Sequence, residues 1–231
     1  MNNLSRLLQE IKDNPVIYID KPSITCLDLF VGGYLSQLGD LGLTPEGYPM
    51  EGFDEWMQEI AETNVIKSWA GIILFLFRSE RNAFYKFFEL FEKFIKQKNH
   101  SKIQESEDVL RLRQDLRFPQ FDIYNEILSN IKKRPAIYLF GVSSITRLDM
   151  VLRGTSLARR EVGVPQTEPE MEFEGFQSWI EEKYGINSGQ SWSKIILFYS
   201  VDEHEALQKF FELFEEYLNR NKSLEVDGNC G

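Results

Sequence analysis

Apolar residues return along this chain at spacings of three and four, and the same succession is met twice. Leu4, Leu7, Leu8 and Ile11 predict a helix from Leu4 to Asn14, and Ile123, Ile127, Leu128 and Ile131 predict its counterpart. Pro15 and Pro135 end these helices, because proline lacks an amide hydrogen and restricts the residue before it. Short extended pieces are then expected at Val16–Ile19 and Ala136–Phe140. A second helix opens at Ser23 or Thr25, and at Ser144 or Thr146, where hydroxyls can cap free amides. It runs to about Gly39 in the first half and Glu161 in the second. A loop with Pro45, Gly47, Pro49 and Gly52 follows, matched by one with Pro165, Pro169 and Gly175. A third helix then shows Phe53, Trp56, Met57 and Ile60 on one face, or Phe176, Trp179, Ile180 and Tyr184.

Next comes a Ser-Trp pair and an apolar run. Trp192, Ile195, Ile196 and Tyr199 fit a helix capped by Ser191, although the run Ile195–Tyr199 also fits a buried strand, since periodicity does not separate the two over so short a stretch. Helix is the favoured reading. The last helix is expected to open at Ser200 with Glu203 three residues on, a capping-box spacing. Its apolar positions are Leu207, Phe210, Phe211, Phe214 and Leu218, matched by Phe84, Phe87, Phe88, Phe91 and Ile95; Leu90 and Leu213 widen the stripe, and Glu89 and Glu212 fall on its narrow exposed side. The expected class is mainly α, with five helical segments per half; α+β with short strands is the alternative.

The two halves share residues as well as pattern. Glu51–Ile95 aligns without a gap to Glu174–Leu218 with nearly half the positions identical, including the whole heptamer Lys86–Glu92 and Lys209–Glu215. About one in fifteen is expected by chance. Ser23-Ile24-Thr25 matches Ser144-Ile145-Thr146, and Gly52-Phe53 with Trp56 matches Gly175-Phe176 with Trp179. The reading is a tandem duplication of one helical domain. Residues 1–96 form the first domain, 97–120 a linker, 121–222 the second domain and 223–231 a flexible tail. The second half of the linker, with Leu110, Leu112 and Leu116 among arginines, fits a short helix.

Composition adds limits. The 231 residues carry a formal charge of −10, which argues against a general affinity for phosphate backbones, since that rests on clustered Lys and Arg. The longest apolar run, Ala70–Phe77, is far below the roughly 20 residues of a membrane span. Met1–Arg6 has no charged-then-apolar leader pattern. Cys26 and Cys230 are single, so no disulfide framework is indicated. A cytoplasmic protein with no membrane or nucleic-acid partner is expected.

Candidate chemistry is sparse. His100 lies in the linker and His204 at a helix start, with no zinc-type spacing, phosphate loop or dinucleotide fingerprint. The matched pairs Glu51/Glu174, Glu59/Glu182 and Glu89/Glu212 reflect common surface or descent as readily as catalysis. Trp69 and Trp192, beside a Phe-rich run, read as core rather than ligand-stacking residues. Ile131–Leu139 with Gly141 and Ser144 resembles a segment of the ATP-binding domain of DNA gyrase B-type enzymes. There the following helix carries a water-activating Glu and a magnesium-holding Asn. Here Leu148–Leu157 has neither, Leu29–Leu35 lacks them too, and the later Asp-x-Gly-x-Gly loop is absent. No catalytic residue, cofactor or metal site is expected.

Charge placement is the stronger functional signal. Between Lys21 and Lys67 there is no Lys or Arg, and between Arg160 and Lys183 there is none either. The acidic residues there include Glu51, Asp54, Glu55, Glu59 and Glu62 in one half, and Glu168, Glu170, Glu172, Glu174, Glu181 and Glu182 in the other. A one-signed face suits either solubility or electrostatic docking of a basic protein. The run Lys/Arg-x-Pro-x-x-Tyr, Ser-Ile-Thr with Leu148, Gly-Phe-x-x-Trp, Ser-Trp-x-x-Ile-Ile-Leu-Phe-Tyr-Ser and an acidic Phe-rich last helix resembles small acidic bacterial proteins associated with the immunity proteins of toxin systems. That resemblance implies a non-catalytic inhibitor of a basic partner such as a toxin, and carries no catalytic residues. The alternatives are an enzyme with a carboxylate-lined, metal-dependent cleft between the repeats, and a structural or regulatory adaptor.

Overall fold

The computed structural model describes residues 3–43, 48–62, 68–101, 123–139 and 141–220. Among the described residues there are twelve helices and no strand. By its contacts the chain divides into two units, residues Met1–Pro119 with Arg153–Ala158, and Gln120–Leu152 with Arg159–Gly231.

Unit 1 contains α1 (Asn3–Asp13), α2 (Pro15–Ile19), α3 (Ile24–Asp40), α4 (Phe53–Ile60), α5 (Trp69–Phe77) and α6 (Glu80–Ser101). The amphipathic spacing of α1 buries Leu4, Leu7, Leu8 and Ile11. Phe53 is fully buried at the centre of the unit, with the rings of Trp56, Trp69, Phe87, Phe91 and Phe94 at 5.2–6.0 Å. Unit 2 contains α7 (Ile123–Lys133), α8 (Pro135–Tyr138), α10 (Glu168–Tyr184), α11 (Trp192–Phe198), α12 (Glu203–Asn219) and part of α9 (Ile145–Glu161). Phe176 holds its centre, fully buried, with Phe173, Trp179, Trp192, Phe210, Phe214 and Tyr217 at 5.4–6.0 Å. Burying one such ring contributes about 1.5–3 kcal/mol, and each good ring pair adds about 0.5–1.5.

The Ser-Trp runs are helices. The Ser68 hydroxyl accepts the Gly71 amide at 3.2 Å and the Ser191 hydroxyl accepts the Lys194 amide at 3.4 Å. These caps start α5 and α11, and the strand alternative falls away. The expected extended pieces after Pro15 and Pro135 are helices instead, one more per half than the periodicity predicts. Proline ends the helix before it, but at the first position of a new helix its fixed φ is already helical and its missing amide costs nothing. Both prolines occupy that position.

Further expectations change. The segment with Pro169 and Gly175 is the first half of α10, not a loop. Thr167 and Glu170 form a capping box there, and Pro169 sits in the permissive first turn. The last helix opens at Asp202, whose carboxylate accepts the His204 and Glu205 amides at 2.9 and 2.8 Å. Ser200 does not cap it; its hydroxyl donates to the Ile196 carbonyl at 2.8 Å. Toward the end of α12 the core is closed by Tyr217, 2% exposed, while Leu218 is 44% exposed. Ile60 and Tyr199 likewise face outward, whereas Glu89 and Glu212 are exposed as expected. Finally α6 continues to Ser101, so residues 97–101 of the expected linker are helical. The predicted helix around Leu110–Leu116, the Pro45–Gly47 loop positions and the tail from Ser223 lie outside the described residues.

Candidate functional site

Two features could carry function: the acidic residues of α4 and α10, and a carboxylate clasp that periodicity does not reveal. The clasp joins the start of α3 to the start of α6. Glu80 accepts the Ser23 hydroxyl at 2.7 Å and the Thr25 amide at 3.0 Å through Oε2, and the Thr25 hydroxyl at 2.7 Å through Oε1. Ser23 in turn accepts the Cys26 amide at 3.2 Å. The free amides that open α3 are thus satisfied partly from its own cap and partly from a helix 55 residues away. In unit 2, Glu203 makes the same bonds to Ser144 at 2.8 Å and to the Thr146 amide and hydroxyl at 3.1 and 2.8 Å. Burial pushes the Glu80 carboxyl up, but the Thr25 amide and hydroxyl, Ser23 and nearby Lys21 together outweigh it, and its pKa lies below the ordinary value. Both clasps are fully committed hydrogen-bond acceptors and serve architecture, not chemistry.

The eleven acidic positions separate into three groups. Two are engaged by the fold itself. Asp54 accepts the Trp69 amide at 2.7 Å and so caps α5. Glu170 is 6% exposed and bonded to the equally buried Arg159, at 2.8 Å to Nε and 3.3 Å to Nη2. Glu170 therefore belongs to the interior and not to a docking surface. A second group is tied on the surface. Glu51 lies 3.5 Å from Lys98, Glu172 lies 2.5 Å from Arg220, Glu174 accepts Gln166 at 2.5 Å and Glu181 accepts Gln177 at 2.7 Å. The third group, Glu55, Glu59, Glu62, Glu168 and Glu182, is exposed and makes no side-chain hydrogen bond or ion pair with a described residue.

Within unit 1 the free carboxylates are ordered. Glu55 and Glu59 lie four residues apart on α4 and make one negative stripe, and Glu62 follows in the trailing turn with a left-handed backbone, φ 48°. Like charges at i, i+4 destabilise a helix by about 0.2–0.5 kcal/mol. Glu59 also sits in the last turn of α4, where the helix dipole favours a cation and no basic residue is present. Neighbouring groups register the field. Burial, then Asp54, Glu51 and Glu55, hold the Tyr48 hydroxyl above its ordinary pKa. Burial also raises Asp54, against the Trp69 amide and with help from Glu55. In unit 2 the exposed Glu168, Glu174 and Glu182 spread along α10, and the last turn adds Glu181 and one base, Lys183, held at 2.5 Å by Glu216.

Other candidates have structural places. Trp69 and Trp192 are 6% and 7% exposed and belong to the aromatic cores. His204 is exposed in the first turn of α12, 3.1 Å from Gln208. His100 carries no described side chain. Among the described residues no three His, Cys, Asp or Glu side chains gather where they could hold a metal ion, and no helix is long and apolar enough to cross a membrane. No family model, curated protein or solved structure matches this chain.

Proposed function

We propose that the chain is a tandem duplication of one helical domain that acts by binding, as an immunity- or inhibitor-like partner of a basic protein such as a bacterial toxin. The observation that carries this reading is the set Glu55, Glu59 and Glu62. Glu59 opposes the helix dipole at the end of α4 and repels Glu55 at i, i+4, none of the three has an internal partner, and Glu55 adds to the burial that raises Tyr48 and Asp54. Stability does not account for it, whereas electrostatic steering of a cationic partner does. In unit 2 the exposed acids Glu168, Glu174 and Glu182, with Glu172 and Glu181 beside them, offer a second face of the same sign. The action is non-catalytic and cytoplasmic in this reading.

A tagged full-length chain exposed to extract of the source cells at low salt, then washed with a salt step, tests it. One basic protein at near-equal stoichiometry, released by the salt, is the expected result. Retention of a nucleotide or metal with no protein would overturn the reading.

A further inference from the structure

The ends of α10 and α11 meet in a cluster of aromatic rings that the core does not absorb. Tyr184 and Tyr199 stack at 4.6 Å, 19° from parallel, and Phe198 stands edge-on to Tyr199 at 5.1 Å. Tyr184 backs onto the core of unit 2, while Tyr199 is 43% and Phe198 77% exposed. The backbone beneath is fixed. Lys209 donates to the Tyr199 carbonyl at 2.6 Å, the Ser200 hydroxyl to the Ile196 carbonyl at 2.8 Å, and the Val201 amide to Glu205 at 2.5 Å. The rings therefore form a fixed platform open to solvent.

The fold does not require this stack. At the aligned positions of unit 1 stand Ala61, Phe75 and Leu76, and unit 1 forms its own clasp and aromatic core without the pair. The charge differs as well. Val201, Asp202, His204 and Glu205 align with Arg78, Ser79, Arg81 and Asn82, so the turn is acidic in unit 2 and basic in unit 1. The two stretches that carry the rings, 181–184 and 198–205, hold Glu181, Glu182, Asp202, Glu203 and Glu205 against Lys183 alone. Two nearby cations are already answered: Lys183 lies 2.5 Å from Glu216 and Lys209 lies 3.5 Å from Glu205. Lys194, one turn before Phe198 on α11, leaves the balance negative.

We propose that this platform is the anchor for the basic partner of the proposed function, on which reading it rests, and that it takes an arginine side chain. An aromatic face attracts a cation, and neighbouring carboxylates select a positive group over a neutral one. A planar guanidinium stacks on a ring as a compact ammonium does not, so arginine fits better than lysine. Tyrosine and arginine are also the residues that concentrate binding energy at interfaces. The contrast with Ala61 and Leu76 assigns the anchor to unit 2.

Titration of the full chain with a hexa-arginine peptide, read on its tyrosine ring resonances, tests this, with hexa-lysine as the comparison. Hexa-arginine should shift the Tyr184 and Tyr199 rings and bind more tightly than hexa-lysine. Phe198→Ser with Tyr199→Leu, leucine being the residue at the aligned position of unit 1, should bind hexa-arginine about two- to fivefold more weakly for each ring removed and lose the preference over hexa-lysine. Should that variant not fold, Phe198→Ser alone, at a 77% exposed position, carries the same test. Glu55→Lys with Glu59→Lys should weaken both peptides alike and leave the ring shifts in place. Unmoved rings, equal affinity for the two peptides, or an affinity indifferent to the ring changes overturns the proposal. Ring shifts in a chain that captures no basic protein from extract would fault the proposed function and keep the arginine site, whereas capture with unmoved rings would fault the site and keep the function.

Discussion

Glu80 grips Thr25 with both carboxylate oxygens, one on the backbone amide at 3.0 Å and one on the hydroxyl at 2.7 Å. The pair fixes the start of α3 against the start of α6, and Ser23 adds a third bond. Charged hydrogen bonds of this kind contribute about 1.5–3 kcal/mol. Glu80→Ala should therefore lower unfolding stability by about 2–3 kcal/mol in urea titration, while Glu80→Gln, which keeps an acceptor oxygen, should cost less.

The same clasp sets a pH dependence. The folded pKa of Glu80 is depressed, so its contribution is complete above the ordinary carboxyl value and is lost as the pH falls through the lower, folded value. The stability margin of the native chain over Glu80→Gln should shrink across that acid window and stay constant above it. A margin that grows on acidification would show that the carboxylate does not hold the clasp.

Buried Glu170 and exposed Glu174 lie on the same helix and answer to different physics. Removing Glu170 leaves the Arg159 guanidinium buried without its counter-ion. Glu170→Ala should cost about 3–5 kcal/mol, and Glu174→Lys less than about 0.5 kcal/mol. Thermal melts of the two variants check this, and equal losses would contradict the placement of Glu170 inside.

Gly175 shows why one glycine can sit in the interior of α10. A Cβ there would lie 2.4 Å from the Tyr217 hydroxyl, which donates to the Glu172 carbonyl at 2.7 Å. Gly175→Ala would normally stabilise a helix by about 1 kcal/mol. Here it should destabilise by about 1–3 kcal/mol through overpacking, and a double change with Tyr217→Phe should recover part of the loss.

Much of the fold was legible because helical spacing is local. Leu4, Leu7, Leu8 and Ile11 mark α1 without any knowledge of what they pack on. Pro15 and Pro135 misled because a proline both ends one helix and opens the next. Phe75 and Phe198 lie in short runs that are apolar on every side, and such a run carries no mark of which side faces out. Glu80 and Glu203 bond across 55 and 57 residues, beyond any local pattern, although their identity at matched positions beside two Ser-Ile-Thr segments was a usable signal. Glu170 looked like one more surface acid because its partner is set by tertiary packing; the Thr167-x-x-Glu170 spacing was the overlooked clue to its fixed side chain.

The acidic stripe separates binding from folding. Glu59→Lys relieves like-charge repulsion and places a cation at the end of α4, so it should leave stability unchanged or raise it by a few tenths of a kcal/mol. The most direct test of the binding account is capture from source-cell extract by the native chain beside the variant Glu55→Lys, Glu59→Lys and Glu62→Lys, with melts run in parallel. The account predicts a salt-released basic protein on the native chain and its loss from a variant that the melts show to be folded. Equal capture by both, or no protein on either, would contradict it.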